Sequence, residues 1–333
     1  MSVRSAVRAV IVSVLALATV PALVPGVAHA TTTAVNCPGD DLQTAITAAA
    51  AGDTLDVTGT CTGNFFINKD ITLQGDGSTT IMGGGSIALA PTVHFNDLTL
   101  TGGSSNSGPG SFSMLGGAVV TLLRVTVTGN HSTNTGLPAV GAIQNVDGTL
   151  HLVDSTVSGN TATGTTTSGA VGGGIDNFGT LSLTNSTVSG NTATAGVGAN
   201  AFGGGIYNGG TLTVVDSTVS GNTANGSANG HGGGIYNNGG PVTLTNSTVS
   251  GNTATGGSEG AGGGIFNNNG TLTVQDSTVS GNTATGGGGT AVGGGISNQG
   301  TLTVTNSTVS GNTATAFHAF GGGIFKHNGT LTV

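Results

Sequence analysis

The sequence has no tryptophan, only two cysteines and very few positive charges, and these shortages exclude several kinds of function. Lysine and arginine total 5 of 333 residues against 13 acidic residues, so the formal net charge is −8. A nucleic-acid partner is not expected, because affinity for a phosphate backbone comes from many Lys and Arg contacts. No motif with the spacing of metal ligands occurs, so neither a metal nor a cofactor is expected. After residue 30 no run of 18 apolar residues occurs, and no membrane span is predicted.

The first thirty residues have the pattern of a secretory signal peptide. Residues 1–30 combine Arg4 and Arg8 with a short apolar run and end in Ala28-His29-Ala30. Cleavage there would start the mature chain at Thr31, with three cations against 13 acidic residues and a net charge of −10. The sequence therefore predicts a secreted protein, either extracellular or associated with the cell surface.

A repeat of 30 or 31 residues dominates the rest of the chain. The octapeptide STVSGNTA starts at six positions, which are Ser155, Ser186, Ser217, Ser247, Ser277 and Ser307. The motif GGGI and the motif TLTV, or a close variant, recur in step with it. A fixed period of this length is typical of a solenoid, in which each repeat packs on its neighbours.

Within each repeat the pattern is that of short strands. In Thr301–Val304, Leu302 and Val304 alternate with threonine, which places the apolar side chains on one face. Stacked copies of such a repeat form a parallel β-helix, with Leu302, Val304, Val309 and Ile296 predicted to point inward. The asparagines of the SGN triplets are predicted to stack as a hydrogen-bonded amide ladder, and they are Asn160, Asn191, Asn222, Asn252, Asn282 and Asn312.

The N-terminal region differs from the repeats. Residues 40–53 carry apolar residues at helical spacing from Leu42, which predicts a short helix that caps the first coil. Cys37 and Cys61 flank this segment, and in an exported chain they are expected to form a disulfide. The predicted organisation is a cap at 31–62, irregular coils at 63–140 and regular coils at 141–333.

The residue before each STVSGNTA alternates between acid and amide, as Asp154, Asn185, Asp216, Asn246, Asp276 and Asn306. In stacked coils these side chains would be about 4.8 Å apart, where two carboxylates repel each other. Alternation would weaken that repulsion, and chance exchange between similar residues is the other interpretation. The unusual residues between NTA and GGG, which are Phe202, His231, Glu259, His318 and Phe320, are predicted to lie in loops on one side.

These motifs resemble those of the pectin-lyase-like, right-handed parallel β-helix proteins. GGGI at Gly262–Ile265 and VSGN at Val279–Asn282 are similar to the GGA[ILV] and FxxN signatures of polymorphic-outer-membrane-protein-type repeats. The resemblance covers the chain from about Gly141 onward. It implies a right-handed β-helix, a fold whose enzymes cleave acidic polysaccharides.

The outer threonines suggest a binding role. Complete T-x-T rows are expected on the outer face at Thr211, Thr213, Thr271, Thr273, Thr301 and Thr303. Such a hydroxyl lattice favours a secreted, non-catalytic scaffold that binds neutral glycans or a cell-wall surface, although threonine also simply suits an exposed strand. The alternatives are a polysaccharide-degrading lyase or hydrolase and an ice-binding protein, but Ser182 and Pro241 interrupt the rows. No catalytic residue is assigned, and self-association through an open final coil is a further expectation.

Overall fold

The computed structural model describes residues 30–333, so the predicted signal peptide lies outside the described residues except for Ala30. The chain winds into a parallel β-helix in which each strand pairs in parallel with the equivalent strand of the next coil. Four sheets of 20, 8, 7 and 10 strands run along the helix. The predicted all-β parallel β-helix with a short N-terminal helix is confirmed.

Sheet one is the largest and contains two strands from each regular coil. The first strand carries the TLTV motif and the second carries the TVS of STVSGNTA. Its 20 strands are Thr32–Asn36, Asp53–Thr58, Thr60–Thr62, Ile71–Met82, Thr92–Thr101, Val119–Leu123, Thr126–Thr128, Thr149–Val153, Thr156–Ser158, Thr180–Thr184, Thr187–Ser189, Thr211–Val215, Thr218–Ser220, Pro241–Thr245, Thr248–Ser250, Thr271–Gln275, Thr278–Ser280, Thr301–Thr305, Thr308–Ser310 and Thr330–Thr332.

The other three sheets follow sheet one in each coil. Sheet two holds Ser104–Ser105, His131–Asn134, Thr161–Gly164, Thr192–Thr194, Thr223–Gly226, Thr253–Gly256, Thr283–Gly286 and Thr313–Thr315. Sheet three holds Ala139–Val140, Ala170–Val171, Ala201–Phe202, Asn229–His231, Glu259–Ala261, Thr290–Val292 and His318–Phe320. Sheet four holds Phe65–Ile67, Gly85–Ile87, Phe112–Met114, Ile143–Asn145, Ile175–Asn177, Ile206–Asn208, Ile235–Asn238, Ile265–Asn268, Ile296–Asn298 and Ile324–Lys326.

Columns of identical or similar apolar residues fill the interior of the β-helix. Leu302, Val304 and Ile296 are buried, as the alternation in sequence predicts. Val309 points toward the same core and is only partly buried. Because every coil meets a copy of itself, the same residue type satisfies the packing at each level.

The acid and amide residues before STVSGNTA occupy a left-handed corner. Their φ angles lie between 49° and 51°, a conformation that Asn and Asp tolerate better than most other side chains. The amide of Asn185 donates to the carboxylate of Asp154, and the amide of Asn246 donates to that of Asp216. Backbone conformation therefore favours Asn and Asp at this position, although Arg124 occupies it in the preceding coil with φ 53°. The pairing of amide with carboxylate follows from the alternation.

Two polar side chains of STVSGNTA are buried and bond from coil to coil. The hydroxyl of Ser217 accepts from the backbone N–H of Ser186 at 2.9 Å and donates to its own coil at Val215 O at 2.6 Å. The amide of Asn191 donates to Asn222 Oδ1 at 3.0 Å, and that of Asn222 donates to Asn252 Oδ1 at 3.0 Å. The serine and asparagine that recur in each octapeptide therefore form hydrogen bonds that hold neighbouring coils together.

A short helix covers the first coil, at Leu42–Ala48. The carboxylate of Asp41 caps its N-terminus by accepting from Thr44 N at 2.7 Å, and Leu42 and Ile46 are buried on the core. Lys69 Nζ donates to the carbonyl of Ala49 at 2.8 Å and closes the other end. Within residues 30–333, the structure contains no helix that is long and apolar enough to cross a bilayer.

The cysteines of this cap form a disulfide, as expected. Cys37 and Cys61 are bonded with their Cα atoms 4.9 Å apart, and they close a loop with a sequence separation of 24. Closing a loop of that length should stabilise the fold by about 3 kcal/mol, because it restricts the unfolded chain.

Replacing both cysteines by alanine should therefore lower the free energy of unfolding by about 3 kcal/mol. Urea unfolding of the oxidised wild type and the double variant measures this difference. The wild type in a reducing agent is the matched control and should unfold like the variant. An unchanged midpoint in both would show that the bridge does not restrain the unfolded chain.

Candidate functional site: an aromatic cleft

Three consecutive glycines bend each regular coil between sheet three and sheet four. Gly203 has φ +65°, and a Cβ at Gly204 would lie 2.3 Å from the backbone of Thr223. Only glycine fits such a corner, because a side chain would collide with the next coil. Phe202 ends a strand of sheet three before the corner, and Ile206 starts a strand of sheet four after it.

Two columns of side chains line the outer side of this corner. The column of sheet three contains Val140, Val171, Phe202, His231, Ala261, Val292 and Phe320. The column of sheet four contains Gln144, Asp176, Tyr207, Tyr236, Phe266, Ser297 and Phe325. We refer to these two columns, together with Phe178, as the aromatic cleft.

Aromatic rings fill the middle of the aromatic cleft. Tyr236 and Phe266 stack with their ring centroids 5.3 Å apart, and His231 stacks on Phe266 at 4.6 Å. Phe202 contacts Tyr236 across the corner at 4.7 Å. These rings form an apolar cluster that is separate from the core of the β-helix.

A pocket lies at each end of the stacked rings. The N-terminal pocket has a volume of about 340 Å³ and is lined by Val140, Val171, Asp176, Phe178 and Tyr207, among others. The C-terminal pocket has a volume of about 460 Å³ and its lining includes Glu259, Val292, Ser297, Phe320, Phe325 and His327. Phe178 and Phe320 are each 50 % exposed, so each pocket presents an accessible ring to solvent.

Asp176 is the buried acid of the N-terminal pocket. Its side chain is 1 % exposed, and Gln144 Nε2 donates to its Oδ2 at 3.2 Å, while Oδ1 has no hydrogen-bond partner. Burial raises the pKa of Asp176 to about 7, because the apolar surroundings disfavour the charged form. The carboxyl is therefore only partly ionised at neutral pH.

His231 is a second titratable group of the cleft, and its side chain is 14 % exposed. Burial lowers its pKa to about 4, so the imidazole is neutral at pH 7. Its Nε2 lies 3.6 Å from Glu259 Oε1 without a hydrogen bond, and burial raises the pKa of Glu259. A neutral imidazole forms no ion pair, so this contact is polar and not charge-stabilised.

Unsatisfied polar atoms concentrate in the aromatic cleft. Five buried side-chain atoms in the described part of the chain lack a partner, and three of them, Asp176 Oδ1, His231 Nε2 and Ser297 Oγ, belong to its columns. Buried polar groups are nearly always paired in folded proteins, and each exception requires an explanation. A polar ligand in the cleft would pair them.

The carboxyl groups of the cleft are too far apart for glycoside hydrolysis. Glu259 lies in the same coil as Phe266, three coils from Asp176. At 4.8 Å per coil, the two carboxyl groups are about 14 Å apart. Hydrolysis by paired carboxylates needs about 5–9.5 Å. Among residues 30–333 no three His, Cys, Asp or Glu side chains are grouped to hold a metal ion.

The threonines singled out in the sequence lie on the outer face of sheet one. Thr211, Thr271 and Thr301 are exposed, and Thr213, Thr273 and Thr303 are half-buried. Pro241 pairs with Thr271, and Ser182 pairs with Thr213, so both interruptions fall within these columns. More regular columns, which the sequence analysis missed, come from the two threonines of STVSGNTA, for example Thr218–Thr248–Thr278.

The prediction of loops before GGG was wrong for the residues nearest the glycines. Phe202, His231, Glu259, His318 and Phe320 lie on strands of sheet three, because those short segments continue the parallel pairing from coil to coil. The residues of the aromatic cleft on sheet four were missed altogether. Their signal was the position after GGGI, where the regular coils have Asp, Tyr, Tyr, Phe, Ser and Phe.

Comparison with known proteins identifies the fold. No protein-family model matches the sequence, and no curated protein matches it. The crystal structure of pectate lyase Pel9A is similar with a TM-score of 0.50 and 12% sequence identity, over 88% of this chain and 79% of that chain. At this identity the likeness concerns the fold alone. The chain has the right-handed, pectin-lyase-like parallel β-helix fold.

Proposed function

We propose that this protein is a secreted, non-catalytic β-helix scaffold that binds neutral glycan chains along the aromatic cleft. The observation that carries the proposal is the combination of exposed rings, two pockets and unpaired buried polar atoms along one line of the molecule. Carbohydrate sites need apolar ring faces for stacking and a few polar groups for orientation, and the cleft supplies both.

The dimensions of the cleft suit an extended chain. Phe178 and Phe325 belong to coils five steps apart, which corresponds to about 24 Å at 4.8 Å per coil. Rings at both ends would hold several sugar residues aligned with the helix axis. The low charge of the chain favours a neutral ligand, since five cations in 333 residues offer little to hold a polyanion.

Secretion to the outside of the cell, free or at the cell surface, is part of the proposal. It is supported by the composition of residues 1–30 and by the disulfide between Cys37 and Cys61, since disulfides persist in oxidising compartments. The likeness of the repeats to those of polymorphic-outer-membrane-protein type also agrees with a surface role. The threonine rows of sheet one are a second candidate face for the same class of ligand, and ice is their other candidate ligand.

The double variant Phe178→Ala/Phe320→Ala should bind neutral glycans about 5- to 150-fold more weakly than the wild type. Each ring–sugar contact contributes about 0.5–1.5 kcal/mol, and about 1.4 kcal/mol corresponds to a factor of ten. Retention on insoluble cellulose and chitin, followed by affinity electrophoresis with soluble glycans, measures the change. Both rings are half exposed, so the fold should survive their truncation.

A triple variant Thr213→Ala/Thr273→Ala/Thr303→Ala is the matched control and should bind like the wild type. If only the threonine variant loses glycan retention, the site lies on sheet one and not in the cleft. Thermal hysteresis that only the threonine variant loses would establish ice binding instead. If no neutral glycan is retained by the wild type, or if pectate is cleaved, the proposed function is wrong.

A further inference from the structure

The N-terminal pocket contains a carboxyl group that no positive charge among residues 30–333 pairs with. Buried acids are almost always paired with a cation or fully hydrogen-bonded. Asp176 is 1 % exposed, and within residues 30–333 its side chain has one hydrogen bond, from the neutral amide of Gln144, while Oδ1 has no partner there. Such a group has no counter-ion among the residues that the structure describes.

The three Lys and Arg side chains in the described part of the chain lie away from Asp176. Lys69 donates to carbonyls at the end of the helix, and Arg124 forms a two-atom contact with Asp97. Lys326 lies in the final coil, which is five coil steps from Asp176 along sheet four. None of the cations that the structure describes is placed to pair with Asp176, so a ligand could supply the partner.

The walls around Asp176 indicate which cation fits. Val140, Val171 and the exposed Leu137 are apolar, and Phe178 and Tyr207 present aromatic rings 5.6 Å apart. Aromatic rings beside a carboxylate favour an organic ammonium group over a hydrated metal ion, because ring faces attract cations and exclude water. A volume of about 340 Å³ is at the lower end of the range for small-molecule sites.

We propose that the N-terminal pocket binds the protonated amino group of an amino-sugar residue, with Asp176 as its counter-ion and with Phe178 and Tyr207 against the sugar ring. The proposal rests on the proposed glycan-binding function and names the kind of residue that one end of the cleft selects. Glycans with free amino groups would be preferred over those in which the amino group is acetylated.

Burial of Asp176 agrees with this assignment. The raised pKa means that about half of the Asp176 carboxyl groups are protonated at pH 7, and an ammonium ligand would ionise them and release their protons to solvent. In the ionised form Oδ1 would accept the hydrogen bond that it lacks in the free protein.

The test compares oligomers of glucosamine and of N-acetylglucosamine of equal length, by calorimetry at pH 7. The wild type should bind the glucosamine oligomer at least tenfold more tightly. Asp176→Asn should lose that preference and still bind the acetylated oligomer. Asp154→Asn removes the same charge at an exposed corner and should keep the preference, which separates specific pairing from general attraction.

A second measurement does not depend on the variant being folded. In the wild type the carboxyl ¹³C signal of Asp176 should shift toward the ionised form as glucosamine is added at pH 6.5. A signal that stays in place, or equal affinity for both oligomers, overturns the amino-sugar assignment.

The outcomes also separate this assignment from the proposed function. Binding of the acetylated oligomer through Phe178 and Phe320, without preference for the amine, leaves the function intact and rejects the assignment. Binding of the amine alone, abolished by Asp176→Asn, rejects the neutral-glycan function and supports the assignment. Binding of neither oligomer rejects both.

Discussion

Asn222→Ala is expected to lower the free energy of unfolding by about 4 kcal/mol. Asn222 is fully buried, and its amide donates to Val188 O at 3.0 Å and to Asn252 Oδ1 at 3.0 Å. Its own Oδ1 accepts from the backbone N–H of Asn191 at 2.9 Å. Truncation leaves several buried groups without partners, at about 1–3 kcal/mol for each.

Asn225→Ala is the matched control for this prediction. Asn225 lies in the same segment, three residues further on, and is exposed at a position where the adjacent coils have threonine. Its replacement should change the stability by less than 0.5 kcal/mol, as is usual at exposed positions. Urea unfolding of both variants provides the comparison. Similar losses would mean that the asparagine ladder contributes little.

The buried asparagine also explains why two motifs share one period. A Cβ at Gly205 would lie 2.9 Å from Cγ of Asn222, so the third glycine of GGGI is in contact with the asparagine of SGN. The two motifs are separate in sequence and adjacent in space. Substitution in one would be expected to affect the other, because residues in contact are not independent.

The repeated part of the fold was predictable because stacked coils repeat the same physical environment. The period, the alternation of Leu302 and Val304 with threonine, the helix at Leu42 and the disulfide each have a local signal in the sequence. A second buried ladder, which includes Asn177, was missed. Its asparagine lies two residues after GGGI and has no flanking pattern that distinguishes a buried amide from a turn.

The aromatic cleft could not be predicted, because it depends on the angle between two strands. The sequence GGGIY does not show that the tyrosine after the isoleucine contacts the residue that precedes the three glycines. The ring of Tyr236 contacts those of Phe202 and Phe266, which come from different coils and different sheets. The sequence therefore predicted the β-helix scaffold and suggested the threonines as a binding face. The aromatic cleft is visible only once the structure shows how the glycine corner brings sheet three and sheet four together.

Asp176→Asn is expected to stabilise the protein at alkaline pH, because an ionised carboxylate is costly in this pocket. The carboxyl titrates near 3.8 without the fold, and burial raises its pKa to about 7. The stability that protonated Asp176 contributes is complete below pH 3.8 and is lost as the pH rises through 7. Between these two pH values, the total decrease in the free energy of unfolding is about 4 kcal/mol. Gln144 is neutral, and burial raises the pKa of Tyr207, so neither group titrates in this range.

The difference in free energy of unfolding between Asp176→Asn and the wild type should therefore increase, in favour of the variant, by about 3 kcal/mol between pH 5 and pH 8.5. Chemical unfolding at several pH values measures the difference, and other carboxyl groups cancel because both proteins contain them. Ser297→Ala, in the same column of the cleft and equally buried, removes a group that does not titrate, so its effect should not depend on pH. A pH-independent difference for Asp176→Asn would show that this carboxyl is ionised at little cost, and that its pocket is more polar than its walls suggest. At pH values where the ligand amine keeps its proton, a saturating amine ligand should abolish the pH-dependent part in the wild type, because it supplies a counter-ion to Asp176.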